Sequence, residues 1–135
     1  MSLIEGLIQI RVTYNETDGQ GRVHHAQYLN YFERGRVELL RSKGHRYRDL
    51  ELSTGLMLVV SEFNIRYLGA AAFDDVLELR TFVIRTRGVR IEHGYELFLL
   101  DDAGSRAKIV EGESVIACVN REGKVQRLPD FLRQL

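Results

Sequence analysis

One stretch, Asp18 to Gly44 (DGQGRVHHAQYLNYFERGRVELLRSKG), constrains the fold most, because it carries the one long helical pattern in a chain that otherwise alternates like strands. From about Ala26 to Lys43 the large side chains Tyr28, Phe32, Leu39 and Leu40 recur at helical spacing, with small Gly35 on the same face. Glycine in a helix interior costs about 1 kcal/mol against alanine, so a close approach of another backbone is expected at Gly35. Glu33 and Arg36 are spaced i,i+3 and are expected to pair. Lys43-Gly44 reads as the helix end, with a cation near the C-terminus and a residue that accepts positive φ. No Ser, Thr, Asp or Asn stands directly before Ala26. The first N–H groups of the helix therefore lack an ordinary cap and are left to water, a loop or a ligand.

The rest is strand and turn. Residues 7–14 alternate, with Ile8, Ile10, Val12 and Tyr14 on one face and Gln9, Arg11 and Thr13 on the other. Residues 45–53 predict a short helical turn or a loop. Further strands are predicted over 56–68, 75–85, 89–100 and 106–120, the last with a bulge at Gly112. Thr86-Arg87-Gly88 and Asp101-Asp102-Ala103-Gly104-Ser105 are short turns, and short turns imply antiparallel neighbours. A sheet must bury one face, and the single central helix is the available partner. The fold expected is α+β, an antiparallel five- or six-stranded sheet wrapped around one long central helix.

The 135 residues are expected to form one domain over 1–135, large enough for a core without staples. Lys+Arg and Asp+Glu balance at 19 each, which argues against a nucleic-acid module held mainly by phosphate contacts. The lone Cys118 sits in an apolar strand and reads as a buried small hydrophobe, which fits a reducing, cytoplasmic setting. The opening MSLIEGLIQI lacks the basic segment of a signal peptide, and no stretch approaches membrane-spanning length, so no membrane insertion is expected.

Chemistry concentrates ahead of the helix. Asp18 precedes an uncapped helix N-terminus, which carries about half a positive charge. The plain alternative is that Asp18 only bonds its own turn through the following N–H groups. His24 and His25 are adjacent, and His45 and His93 lie at spacings unlike a ligand set, so neither metal nor cofactor is expected. No G-x-S-x-G elbow is present, and Ser61 and Ser114 lie inside strands without a motif around them.

The run from Val12 to Leu29 (VTYNETDGQGRVHHAQYL) resembles the opening of hotdog-fold acyl-CoA thioesterases of the 4-hydroxybenzoyl-CoA thioesterase type. Tyr31-Phe32-Glu33-Arg34-Gly35-Arg36 is similar to their helix pattern, and Asp74-Asp75-Val76-Leu77-Glu78 and Arg87-Gly88 to later strand starts and a turn. The chain departs from that pattern at Gly69-Ala70-Ala71-Ala72-Phe73, where family members often carry a proline.

The resemblance implies an acyl-CoA thioesterase with Asp18 as general base or nucleophile, and the backbone N–H of His25 as the donor that polarises the thioester carbonyl. Gly19 and Gly21 would let the loop turn and bring Asp18 over the substrate. Tyr28, Phe32, Met57 and Val59 would wall an acyl pocket. Arg87 and Arg90, with Arg85 nearby, would meet the nucleotide phosphates of the coenzyme. The resemblance further implies a homodimer or homotetramer with a shared site, Asp18 of one subunit facing the 57–64 strand or the helix of the other. A hotdog dehydratase or hydratase, an acyl-carrier-protein thioesterase and a non-catalytic acyl-CoA binding protein are the alternatives.

Overall fold

The computed structural model describes residues 4–133. Strand β1 (Glu5–Arg11) leads through a short 3-10 turn (Tyr14–Glu16) to helix α1 (Gln27–Ser42) and helix α2 (Tyr47–Thr54). Strands β2 (Met57–Tyr67), β3 (Val76–Arg87), β4 (Arg90–Leu100) and β5 (Arg106–Val119) follow, then helix α3 (Asp130–Arg133). The five strands form one antiparallel sheet in the order β1-β3-β4-β5-β2, so β1 and β2 are its edges.

This is the hotdog arrangement, with five strands. Its central helix has 16 residues, about 24 Å at 1.5 Å per residue, and is not unusually long. The short-helix alternative holds for residues 47–54. The first strand ends sooner than the alternation suggests. Tyr14 lies in the 3-10 turn, 76% exposed, with its ring edge-on to Phe73.

Alternation on the strands sets which side faces α1. Leu77, Leu79, Thr81 and Val83 of β3 and Ile91, His93, Tyr95 and Leu97 of β4 are buried on the helix side. They divide into two apolar clusters. One joins Ile10, Val12 and Val23 to Tyr28, Tyr31 and Phe32 of α1 and to Leu77, Leu79 and Leu97. The other, at the far end of α1, joins Leu39 and Leu40 to Leu50 of α2, Cys118 of β5 and Leu132 of α3. Cys118 is fully buried there, as its apolar neighbours imply.

Three local expectations change in three dimensions. Gly35 does admit a close neighbour, but side chains approach rather than a backbone: a Cβ there would lie 2.2 Å from Thr81 Oγ1 and 2.8 Å from Leu79 Cδ2. Arg36 does not pair with Glu33. It turns inward and donates to the Tyr95 hydroxyl at 3.0 Å, which shares a 2.6 Å hydrogen bond with Ser114. Gly112 is regularly paired with Ile65 and Tyr95, and its missing Cβ makes room for the Asn64 carbonyl at 2.8 Å. The extra residues are Ser61 on β2, Ile84 on β3 and Ile109 on β5.

The Gly35 contact gives a test. Gly35→Ala should gain about 1 kcal/mol of helix propensity but lose about 1–3 kcal/mol to overpacking against Thr81. The expected result is a net loss of about 1 kcal/mol in urea unfolding, partly recovered by adding Thr81→Ala, which removes the nearest atom and leaves only the Leu79 methyl to shift. A neutral Gly35→Ala would show that Thr81 moves aside freely.

Candidate active site

The segment between β1 and α1 is built around two carboxylates. Glu16 closes the 3-10 turn as a capping box with Thr13, accepting the Thr13 N–H at 2.8 Å. The same oxygen accepts the Tyr31 hydroxyl at 2.9 Å, and the other accepts the Gln27 side-chain amide at 3.1 Å. The Glu16 carbonyl accepts the His24 N–H at 2.9 Å. Glu16 thus ties the loop to the first turns of α1. Burial and the adjacent Glu16 push the Tyr31 phenol far up, so it stays a donor to that carboxylate.

Asp18 organises the tip. Its Oδ1 accepts the Gln20 N–H at 2.8 Å and the Arg22 N–H at 3.3 Å. Its backbone N–H donates to the Arg22 carbonyl at 2.7 Å, and Gly21 takes φ 79° so the chain can return. No hydrogen bond engages Oδ2 among the described residues. The Gln20 N–H, with the Arg22 N–H, His24 and Arg22 adding to it, holds the Asp18 carboxyl below the usual carboxylate range against a desolvation effect of opposite sign. The carboxylate is therefore ionised at neutral pH, and one face of it is free. The turn-forming role and an available carboxylate oxygen coexist in one side chain.

Helix α1 starts without a side-chain cap at Ala26, as its sequence implies. The Ala26 N–H is taken by His24 Nδ1 at 3.1 Å, and the Gln27 N–H by the His24 carbonyl at 2.8 Å. The His25 N–H has no partner among the described residues. The His24 and His25 rings stack with centroids 4.3 Å apart. Tyr28 lies below, its phenol pushed up by burial first, with Tyr67 and Asp18 adding and the Ala71 backbone opposing. Asp18, the histidines, Tyr28 and Tyr67 thus share one end of the molecule. Tyr67, at the end of β2, reaches across to donate to the His25 carbonyl at 3.0 Å.

The other residues singled out in the sequence fall elsewhere. Phe32 is fully buried, its ring stacked on Tyr95 and Phe63, so it is core rather than an exposed pocket wall in one chain. Met57 and Val59 stand at the start of β2. Val59 pairs with Ala117, Ala117 with Arg90, and Arg90 with Arg87, which puts three of the candidates in one row across four strands. Arg85 and Arg87 reach Glu92 at 3.1 and 4.0 Å, and Arg90 has no ion pair among the described residues. That row is eight residues of β2 from Tyr67, about 26 Å at 3.3 Å per residue. Glu16 and Tyr67 are the residues that sequence reasoning passed over. The Thr13-x-x-Glu16 pattern was a usable signal for the first, and nothing local marks the second.

Among the described residues no group of three or more His, Cys, Asp or Glu is placed to hold a metal, and no helix is long and apolar enough to cross a membrane. The family model described as the thioesterase superfamily matches residues 20–105, well over half of the chain. The chain belongs to the thioesterase superfamily. It is accordingly a thioester hydrolase. The acyl-CoA thioesterase YbgC of Haemophilus influenzae is 40% identical over 82 residues, 61% of this chain and 60% of that one. The DHNA-CoA thioesterase structure from Staphylococcus aureus superposes with a TM-score of 0.84 at 25% identity, covering 92% of this chain and 80% of that one. The 4-hydroxybenzoyl-CoA thioesterase from Pseudomonas sp. strain CBS-3 shares the fold, with a TM-score of 0.84 at 15% identity over 93% of each chain.

Proposed function

We propose that this superfamily member hydrolyses acyl-CoA thioesters to the free acid and CoA, with Asp18 as the reacting carboxylate and the His25 N–H as oxyanion donor. The observation that carries the reading is the division of labour within Asp18: Oδ1 holds the loop and Oδ2 is open, beside a helix N-terminus with an unused N–H. A thioester carbonyl laid between them meets both requirements of acyl transfer. Oδ2 takes a proton from an attacking water, or itself attacks the carbonyl carbon to give a mixed anhydride that water then opens. Either way a C–O bond forms, negative charge builds on the carbonyl oxygen, and the C–S bond breaks to release the CoA thiolate. A preorganised amide N–H at a helix start stabilises that charge at the moment it appears.

Oligomerisation completes the site in this reading. Arg87 and Arg90 lie too far along the strands to serve the Asp18 of their own chain. Among the described residues edge strand β2 is unpaired on one side, and such an edge is normally paired or protected. Antiparallel pairing of β2 with its copy would set the Met57 end of one chain beside the Tyr67 end of the other, in a dimer or a dimer of dimers. The apolar wall at Met57 and Val59 would then come from the second subunit.

Thiol release measured with a chromogenic disulfide across a panel of acyl-CoA esters tests the reading. Turnover on at least one class is expected, and tight binding without release across all chain lengths would replace hydrolysis with simple binding. Arg90→Ala should raise KM for CoA esters by about three- to tenfold with little change in kcat, since it removes a charge-assisted phosphate contact. The same change should leave a truncated thioester of N-acetylcysteamine unaffected, because that substrate carries no phosphate. Equal effects on both substrates would remove Arg90 from the coenzyme site.

A further inference from the structure

The peptide that follows His25 is held from both sides by groups that themselves touch no substrate in the proposed mechanism. The His25 carbonyl accepts the Tyr67 hydroxyl at 3.0 Å. Across the same peptide, the Ala26 N–H donates to His24 Nδ1 at 3.1 Å. The preceding peptide is fixed through the His24 carbonyl, which accepts the Gln27 N–H at 2.8 Å. With both flanking peptide planes fixed, the two backbone dihedrals of His25 are fixed as well. So is the direction of its N–H.

We propose that Tyr67 and His24 are positioning residues that clamp the His25–Ala26 peptide and thereby aim the His25 N–H at the thioester oxygen. This rests on the assignment of that N–H as oxyanion donor. The clamp matters because α1 begins at Ala26 with no side-chain cap, and uncapped first turns fray. An oxyanion donor acts only if it already points at the oxygen when charge develops. The His24 half needs Nδ1 unprotonated, since a protonated nitrogen cannot accept the Ala26 N–H. The Tyr67 half joins the end of β2 to the start of α1, and its ring packs edge-on against Tyr28 at 5.7 Å between centroids. Tyr67 is 46% exposed, so Phe there keeps the ring contact and removes only the hydroxyl.

Tyr67→Phe should lower kcat by about three- to tenfold, the worth of one hydrogen bond, with KM and melting temperature unchanged. His24→Ala should do the same, and His24→Asn should restore most of kcat, because the Asn carboxamide oxygen can reach the position of Nδ1. In parallel, the His25 and Ala26 amide resonances in 15N spectra should shift in Tyr67→Phe and His24→Ala. Failure of His24→Asn to rescue, or a rise in KM instead of a fall in kcat, would reduce these residues to loop packing and overturn the proposal. Unchanged kcat in Tyr67→Phe with Asp18→Asn still inactive would sink the clamp and leave the hydrolase mechanism standing. Absence of thiol release from the unaltered protein would remove the mechanism and the clamp together.

Discussion

Asp18→Asn is expected to lower kcat by about a hundred- to ten-thousandfold, the span that loss of a positioned general base produces, and by more if Asp18 attacks directly. The substitution is informative because of how Asp18 is held. The structural half of its role needs only an acceptor at Oδ1, for the Gln20 and Arg22 N–H groups. Asn supplies that acceptor, so the loop and the fold should survive, and circular dichroism and melting should match the unaltered protein. The chemical half needs a negative oxygen at Oδ2, which Asn lacks. Asp18→Ala removes both halves and should show loop disorder in addition to inactivity. The pH profile carries a matching signature. The Gln20 N–H and its helpers favour the ionised form, so the carboxylate loses its charge only below the usual carboxylate range. The limb of the pH–kcat profile that belongs to Asp18 should therefore lie on the acid side of the usual carboxylate range, and Asp18→Asn should abolish that limb. Near-native turnover in Asp18→Asn would remove this residue from the chemistry and leave the Asx-type turn as its whole role.

What could be read from residue order follows the range of the forces involved. Helix α1 was legible because 3.6-residue periodicity is local, and its observed bounds, Gln27–Ser42, sit within a residue of the expected 26–43. The missing cap was legible for the same reason. The partner of Arg36 was not. A guanidinium three residues from Glu33 looks like half of a surface pair, yet its acceptor is the hydroxyl of Tyr95, 59 positions away, and burial under the helix decides between them. Gly112 shows the ambiguity of glycine in a strand. It signals either an extra residue or a close approach, and here the Asn64 carbonyl uses the space while Ser61, Ile84 and Ile109 bulge without any glycine signal. Around the candidate site, the turn that carries Asp18 and the uncapped helix start beside His25 were legible locally, while the roles proposed for the two residues came from the resemblance. Tyr67 was not, because its hydroxyl meets the His25 carbonyl only after β2 has crossed the sheet. Arg87 and Arg90 read together as a cationic turn and Val59 apart from them as a pocket residue, and strand register is what aligns all three in one row.

Mild acid should destabilise the protein through His93, and His93→Leu should remove most of that sensitivity. His93 lies under α1, 5% exposed, with no partner for Nδ1 among the described residues. A cavity of about 10 Å3 beside it is lined by Arg36 and Leu39 of α1, Tyr47 of α2, Leu58 of β2 and Leu132 of α3, and among the described residues no carboxylate lines it. On its own strand it neighbours Tyr95, and Ser114 of β5 stands opposite. Burial first, and the Arg36 charge second, pull the imidazole down to about 3 from 6.5. The direction of the effect on stability follows from that depression. Above pH 6.5 the side chain is neutral in the folded and the unfolded chain, and pH has no leverage through it. Between 6.5 and 3 the unfolded chain binds a proton that the folded one refuses, so stability falls by about 1.4 kcal/mol per pH unit as acid is added. By pH 5 the loss should be about 2 kcal/mol, a large share of the margin of an ordinary domain. Urea unfolding at pH 7 and pH 5 measures it. The unaltered protein should lose that amount in excess of His93→Leu, whose side chain cannot titrate and sacrifices no Nδ1 hydrogen bond. Parallel pH curves for the two proteins would mean that His93 takes up its proton in the folded state, with water reaching the Arg36 cavity to solvate it.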